Sequence, residues 1–159
     1  MARKTLTYAV ATPGRDQNKT FLLTEMSAFA AERWAMRAFL ALARSGVDIP
    51  EEIETAGMAG LALVGVRAFA GVAYDDLAPL LDEMMTCVQM VPDPARPQVV
   101  RPLFGEDDVE EVATLLELRR EVFGLHVDFS AVAALWKSRV ATVTEENTPD
   151  IPTSPPSSV

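Results

Sequence analysis

Between Thr20 and Pro50 the chain reads TFLLTEMSAFAAERWAMRAFLALARSGVDIP, a short apolar strand that runs directly into an alanine-rich helix. Ser27 carries the hydroxyl that caps a helix N-terminus, and Gly46 is the residue type that closes one at C′. At 100° per residue, Arg33, Arg37 and Arg44 fall within about 40° of one another. Ala28, Ala31, Ala35, Ala38 and Leu42 lie opposite, flanked by Trp34 and Phe39. A helix with so small an inner face lets a neighbouring element approach closely. Leu40 stands inside the basic stripe, between Arg37 and Arg44.

The elements around this segment follow from periodicity. Residues 4–10, KTLTYAV, alternate, with Leu6, Tyr8 and Val10 on one face. PGRDQNK at 13–19 is loop chemistry, so this strand and Thr20–Thr24 form a hairpin, which needs something to pack on. VDIPEE at 47–52 reads as a linker, with Pro50 at or near the next helical start. Gly57–Gly71 reads as a second helix, apolar almost all round, of the kind that is buried or covered by a partner. Its glycines weaken it and also permit close backbone packing. A third helix starts at Asp75 or Asp76 and carries the stripe Leu77, Leu80, Leu81, Met84 and Val88. The proline-rich run 92–102 is a loop, with short strands expected at Val88–Val91 and Gln98–Arg101. Glu106–Phe123 reads as a fourth helix with Val109, Val112, Ala113, Leu116 and Phe123 as its core face. A last helix is expected from Asp128 or Ser130 to about Arg139. The expected fold is therefore α+β, mostly α: an N-terminal β-hairpin packed on about five helices. Residues 1–140 form one globular domain, and the Pro/Ser-rich acidic segment 141–159 is a disordered tail.

Composition narrows the function classes. With 14 Lys+Arg against 23 Asp+Glu, the formal charge is −9, which repels a phosphate backbone and argues against nucleic-acid binding. The most apolar stretch is too short and too broken to span a bilayer, and no signal-peptide core follows the N-terminus. A single cysteine, Cys87, forbids an internal disulfide and fits a reducing compartment. The chain reads as cytosolic.

Candidate chemistry is sparse. His126 is the only histidine, and no nucleophile elbow accompanies it; it reads as a residue at a helix junction. Cys87 has no local positive charge to activate it and reads as a small core residue. Asp107, Asp108 and Glu111 in GEDDVEEV share a helix face that suits a hard cation, but acids are also the ordinary composition of a solvated helix start. No glycine motif cradles phosphate. The expectation is a non-enzymatic protein with no cofactor and no metal. Methionines 84, 85 and 90 cluster, and such apolar surfaces adapt to varied helical partners, although most methionines fill cores.

The segments RKTLTYAV, FLLTEMSAFAAERWAMRAFLALARSGVDIP and EVATLLELRREVFGLHVDF resemble tail assembly chaperones of long-tailed (siphovirus-type) bacteriophages. The pattern is carried by Glu25, Met26, Ala28, Glu32, Trp34 and the run Arg37–Ala43, and it covers about Arg3 to Arg139. The resemblance implies a protein that binds the hydrophobic, helical tape measure protein, keeps it soluble and promotes polymerisation of the tail tube around it. It implies a frameshifted longer form that recruits the tail tube protein, location in the cytoplasm of the bacterial host, and absence from the mature virion. Several copies acting on one tape measure make self-association part of this expectation. The candidate partner-binding residues are Trp34, Arg37, Leu40, Arg44, Met84 and Met85. A virion tail-completion or connector protein and a small acidic regulator of a host protein are the alternatives.

Overall fold

The computed structural model describes residues 3–64 and 66–127. The expected last helix and the tail 141–159 lie outside the described residues. The fold is α+β. Strands β1 (Thr5–Ala9), β2 (Thr20–Thr24), β3 (Val88–Val91) and β4 (Arg101–Pro102) form one antiparallel sheet in the order β1-β2-β3-β4. The helices are α1 (Ala28–Arg44), α2 (Glu51–Thr55), α3 (Met58–Val64), α4 (Tyr74–Met85) and α5 (Val112–His126). Single 3-10 segments occupy Val66–Gly71 and Gly105–Asp107.

The hairpin is as the alternation predicts, and β3 extends it. Register places Leu6 opposite Leu23 and Leu23 opposite Val88, while Tyr8, Phe21 and Met90 form the next row. Because side chains alternate with period two, both rows share one face. Phe21, Leu23 and Val88 are buried there, with Leu6, Tyr8 and Met90 packed at the margin. α5 lies against β1 and β2, and α4 touches both α5 and α1. Asn18, at φ 68°, turns the hairpin loop in the left-handed region that asparagine tolerates.

α1 behaves largely as read. The Ser27 hydroxyl accepts the Ala30 N–H at 3.3 Å. Gly46 takes φ +84°, and the Val47 N–H returns to the Leu42 carbonyl at 3.2 Å in a Schellman closure. Ala35, Ala38 and Leu42 are buried with Trp34 and Phe39, whereas Ala28 is exposed.

Two helices differ from expectation. The segment 57–71 is not one helix: α3 ends at Val64 and a 3-10 turn follows, while residues 51–55 form the separate helix α2. The apolar residues Met58, Ala59 and Leu61 are buried by folding back instead of by a partner. A Cβ on Gly60 would meet the Ile53 carbonyl oxygen at 1.8 Å, so glycine is what allows α3 to lie on the end of α2. The fourth helix begins at Val112 and not at Glu106: Asp108, Glu110 and Glu111 bond to Arg101, Lys19 and Arg15, and Glu106 and Asp107 lie in a 3-10 turn. Its core face is Thr114, Leu118 and Val122, with Phe123 at the edge; Val112, Ala113 and Leu116 are exposed. The third helix, α4, starts at Tyr74 and buries Leu80 and Met84, and Val88 belongs to β3. Pro79 sits in its second turn, on the exposed side.

Candidate functional site

The outward side of α1 carries the candidate surface. Phe29, Met36 and Leu40 are 80%, 42% and 50% exposed. Their spacing of i, i+7 and i+11 puts them within about 40° of arc. They form an apolar seam along a surface helix, bordered on one side by Arg33, Arg37 and Arg44 and on the other by Glu32. Sequence reading picked out Leu40 and the arginines but not Phe29 or Met36. The missed signal was their heptad-like spacing along the face opposite the alanines.

The arginines are anchored. Arg37 pairs with Glu83 of α4, and Arg44 Nη1 reaches Asp76 Oδ1, also of α4, at 3.1 Å. Arg33 Nε donates to the Phe29 carbonyl at 3.2 Å. Two ion pairs one helical turn or more apart thus clasp α1 to α4. Both are solvent-exposed, so each contributes little to stability, about 0–1 kcal/mol. Their effect is to fix how α1 presents its seam. Between the helices runs a groove of about 270 Å³, lined by Arg37, Leu40, Arg44, Asp76 and Pro79.

Trp34 and Met84 are not part of this surface. Both are buried, and Trp34 Nε1 donates to the Leu80 carbonyl at 2.9 Å. The Trp34 ring stands 6.4 Å from that of Phe123, tilted by 55°. Trp34 faces inward because an indole brings a large apolar area and a single donor, which the α4 backbone satisfies. Met85 is half-buried and lines a different groove, between α4 and the sheet edge.

The acidic run 105–112 is divided among separate tasks. Asp108 is buried and takes both Arg101 Nη1 and Nη2 at 2.7 Å, plus the Phe104 N–H. Arg101 holds its carboxyl below the usual range, against the opposing effect of burial. Glu111 pairs with Arg15 at 3.0 Å. Asp16, read in sequence only as loop chemistry, is buried and receives the N–H groups of Glu110 and Glu111 and the Lys19 ammonium. Burial pushes its carboxyl up, but Lys19 and the two backbone donors outweigh that and hold it at about 2. No spacing rule pairs Asp16 with residues nearly a hundred positions away. Among the described residues, no three His, Cys, Asp or Glu side chains are grouped to hold a metal ion.

His126 sits at a junction, as read. Its Nε2 accepts the Met26 N–H at 2.7 Å, so Nδ1 carries the proton and donates to the Val122 carbonyl. Nε2 joins the end of α5 to the segment before α1, and Nδ1 is held within α5. Burial, then the Glu83 charge, pushes the Cys87 thiol up, away from thiolate chemistry. Tyr8 donates to Glu117, and burial with that acceptor raises its phenol to about 12. His126 and Tyr8 thus have structural partners, and Cys87 is a buried free thiol. No described helix is long and apolar enough to cross a membrane.

The chain matches no family model, no curated protein and no solved structure.

Proposed function

We propose that this protein is a non-enzymatic tail assembly chaperone of a long-tailed bacteriophage, which holds the helical tape measure protein on the outward face of α1. The observation that carries this reading is the seam Phe29–Met36–Leu40, an apolar stripe at helical spacing left open on a helix that is fixed to its neighbour by two ion pairs. Helix-in-groove recognition uses anchors spaced in this way. Each such side chain contributes about 1.5–3 kcal/mol when fully buried, so a few anchors give the weak, reversible hold that a chaperone needs. Arg37 and Arg44 are already paired with Glu83 and Asp76, and Arg33, without an ion pair among the described residues, suits an acid beside the apolar stripe of an amphipathic helix. A net charge of −9 favours solubility of the loaded complex.

In this reading the partner is a tape measure protein, the tail tube protein is engaged through a frameshifted longer form, and the site of action is the host cytoplasm. Co-expression with a candidate tape measure protein tests it. The tape measure should move from the pellet to the supernatant and co-purify with this chain. A tape measure that stays insoluble, or an abundant copy of this chain in purified virions, overturns the reading.

A further inference from the structure

β1 is an edge strand, and its pairing fixes the direction of its backbone groups. The Val10 N–H donates to the Lys19 carbonyl at 3.0 Å, and the Lys4 carbonyl accepts the Glu25 N–H at 3.0 Å. In an antiparallel pair the bonded residues recur at every second position, so Lys4, Leu6, Tyr8 and Val10 turn their main-chain groups toward β2. Thr5, Thr7 and Ala9 turn theirs the other way. Among the described residues, no strand pairs with that side.

Sheets ordinarily blunt such an edge with a proline, a bulge or a charge on the strand. The opposite edge is blunted: β4 is two residues long and ends in Pro102, which has no N–H. β1 carries none of these devices. Its sequence TLTYA is uncharged and free of proline, and it pairs residue for residue with β2. Leu6 and Tyr8, on the core face, are left half-buried at this margin.

The edge is complementary to itself. An antiparallel copy centred on Thr7 sets Thr7 against Thr7, Thr5 against Ala9 and Leu6 against Tyr8. Outward-turned residues then meet outward-turned residues, so their N–H and C=O groups pair. Leu6 and Tyr8 of opposite copies meet at a position without backbone bonds, where side chains approach most closely and an aromatic–aliphatic pair is favourable. Arg3 and Lys4 fall opposite Ala11 and Val10, so no like charges face each other along the strands. α5 lies over β1 and β2. The two-fold operation therefore brings the α5 helices of both copies about 10 Å apart, twice the spacing between strands and an ordinary distance for packed helices. The part of α5 around Tyr8 carries Glu117, Glu121 and Arg120, so neither copy presents a single-sign field to the other.

We infer that two copies of this chain join through β1, merging their four-stranded sheets into one continuous antiparallel sheet. The interface uses no residue of the α1 seam and does not rest on the chaperone reading.

The test combines sedimentation equilibrium of the full chain, from micromolar to millimolar concentration, with residue-resolved amide exchange. The chain should pass from monomer to dimer. As it does, exchange at the Thr5, Thr7 and Ala9 amides should slow at least about tenfold, while Leu6 and Tyr8 stay protected throughout. Thr7→Pro removes an outward donor and nothing from the β1–β2 ladder. It should melt near the parent temperature at micromolar concentration and weaken dimerisation at least about tenfold. If Thr7→Pro does not fold, Thr7→Lys, which sets two lysines face to face on the exposed side, must weaken it likewise. A chain that stays monomeric to millimolar concentration overturns the proposal. So does a dimer in which the Thr5, Thr7 and Ala9 amides exchange as in the monomer. Protection of those amides only on adding a different protein would show a foreign strand and overturn the self-pairing. No readout involves a tape measure protein, so failure here and failure of the chaperone reading are separate results.

Discussion

The Asp16 carboxylate, in the loop between β1 and β2, accepts the Glu111 N–H at 2.8 Å and so caps α5 from a distant part of the chain. The helix's own N-cap residue provides no side-chain bond. One loop residue therefore stands in for the local cap that the sequence does not supply, and it carries the lysine partner Lys19 with it.

Asp16→Ala should lower stability by about 1–3 kcal/mol, since it leaves the partly buried Glu110 and Glu111 N–H groups without that acceptor. Asp16→Asn keeps the shape and should show the effect of charge. The folded carboxyl is held at about 2, below the unfolded value of about 3.9. A depressed folded value means that the stabilisation is full above about pH 4 and fades as pH falls toward about 2. Melting curves of the parent chain and Asp16→Asn from pH 7 down to 2 should converge at the acid end. A gap that persists at pH 2 would show that the charge is not what matters.

Gly60→Ala should be damaging at this buried position. The added methyl group collides with the Ile53 carbonyl oxygen, which is backbone and cannot rotate away. Overpacking of this kind costs about 1–3 kcal/mol. Urea unfolding measures it, and the same change at Gly124, where a Cβ meets nothing within 4 Å, is the comparison. A smaller loss at Gly60 than at Gly124 would contradict the close contact between α2 and α3.

Trp34→Phe should act on folding and not on partner affinity. It removes the bond from Nε1 to the Leu80 carbonyl and part of the ring that packs beside Phe123. The melting temperature should drop, while binding of a tape measure fragment, measured well below that temperature, should hold. A selective loss of binding would return Trp34 to the partner surface.

Leu40→Asp and Phe29→Asp should do the opposite. Both side chains are exposed, and surface changes of this type usually stay within about 0.5 kcal/mol. An acid at position 29 falls in the first turn, where the helix dipole favours it. Calorimetric titration with a tape measure fragment should show weaker binding for both variants at nearly unchanged melting. A large loss of stability would mean that the seam is core.

The legible parts of this chain were those set by near neighbours. Ser27, Gly46 and the alternation of Leu6 and Tyr8 act within a few residues, and their elements fall where the pattern puts them. The α1 face was readable in part for the same reason, through the spacing of Arg37, Leu40 and Arg44. Misreadings came from partners that no helical or strand spacing relates. Arg101 lies seven residues from Asp108, across a turn that no periodicity marks, so the acids of 106–111 have the composition of a first helical turn without forming one. The apolar period at Val112 and Leu116 fits a helix, but which side of that helix meets the sheet depends on how α5 is tethered at both ends. Trp34 and Met84 are apolar at positions suited to either a core or a contact surface, and only the placement of α4 distinguishes the two.

The bond between Met26 and His126 spans 100 residues and bears on the order in which the protein is made. Domains emerge from the ribosome N-terminus first. β1 and β2 pair early, but β2's second neighbour, the cap on α5 and the acceptor for the Met26 N–H all arrive much later. α3 and α4 cover the inner face of α1, but the acceptor for the Met26 N–H is in place only once residue 126 has emerged. The helix that carries the outer seam is thus covered from within first and joined to α5 last.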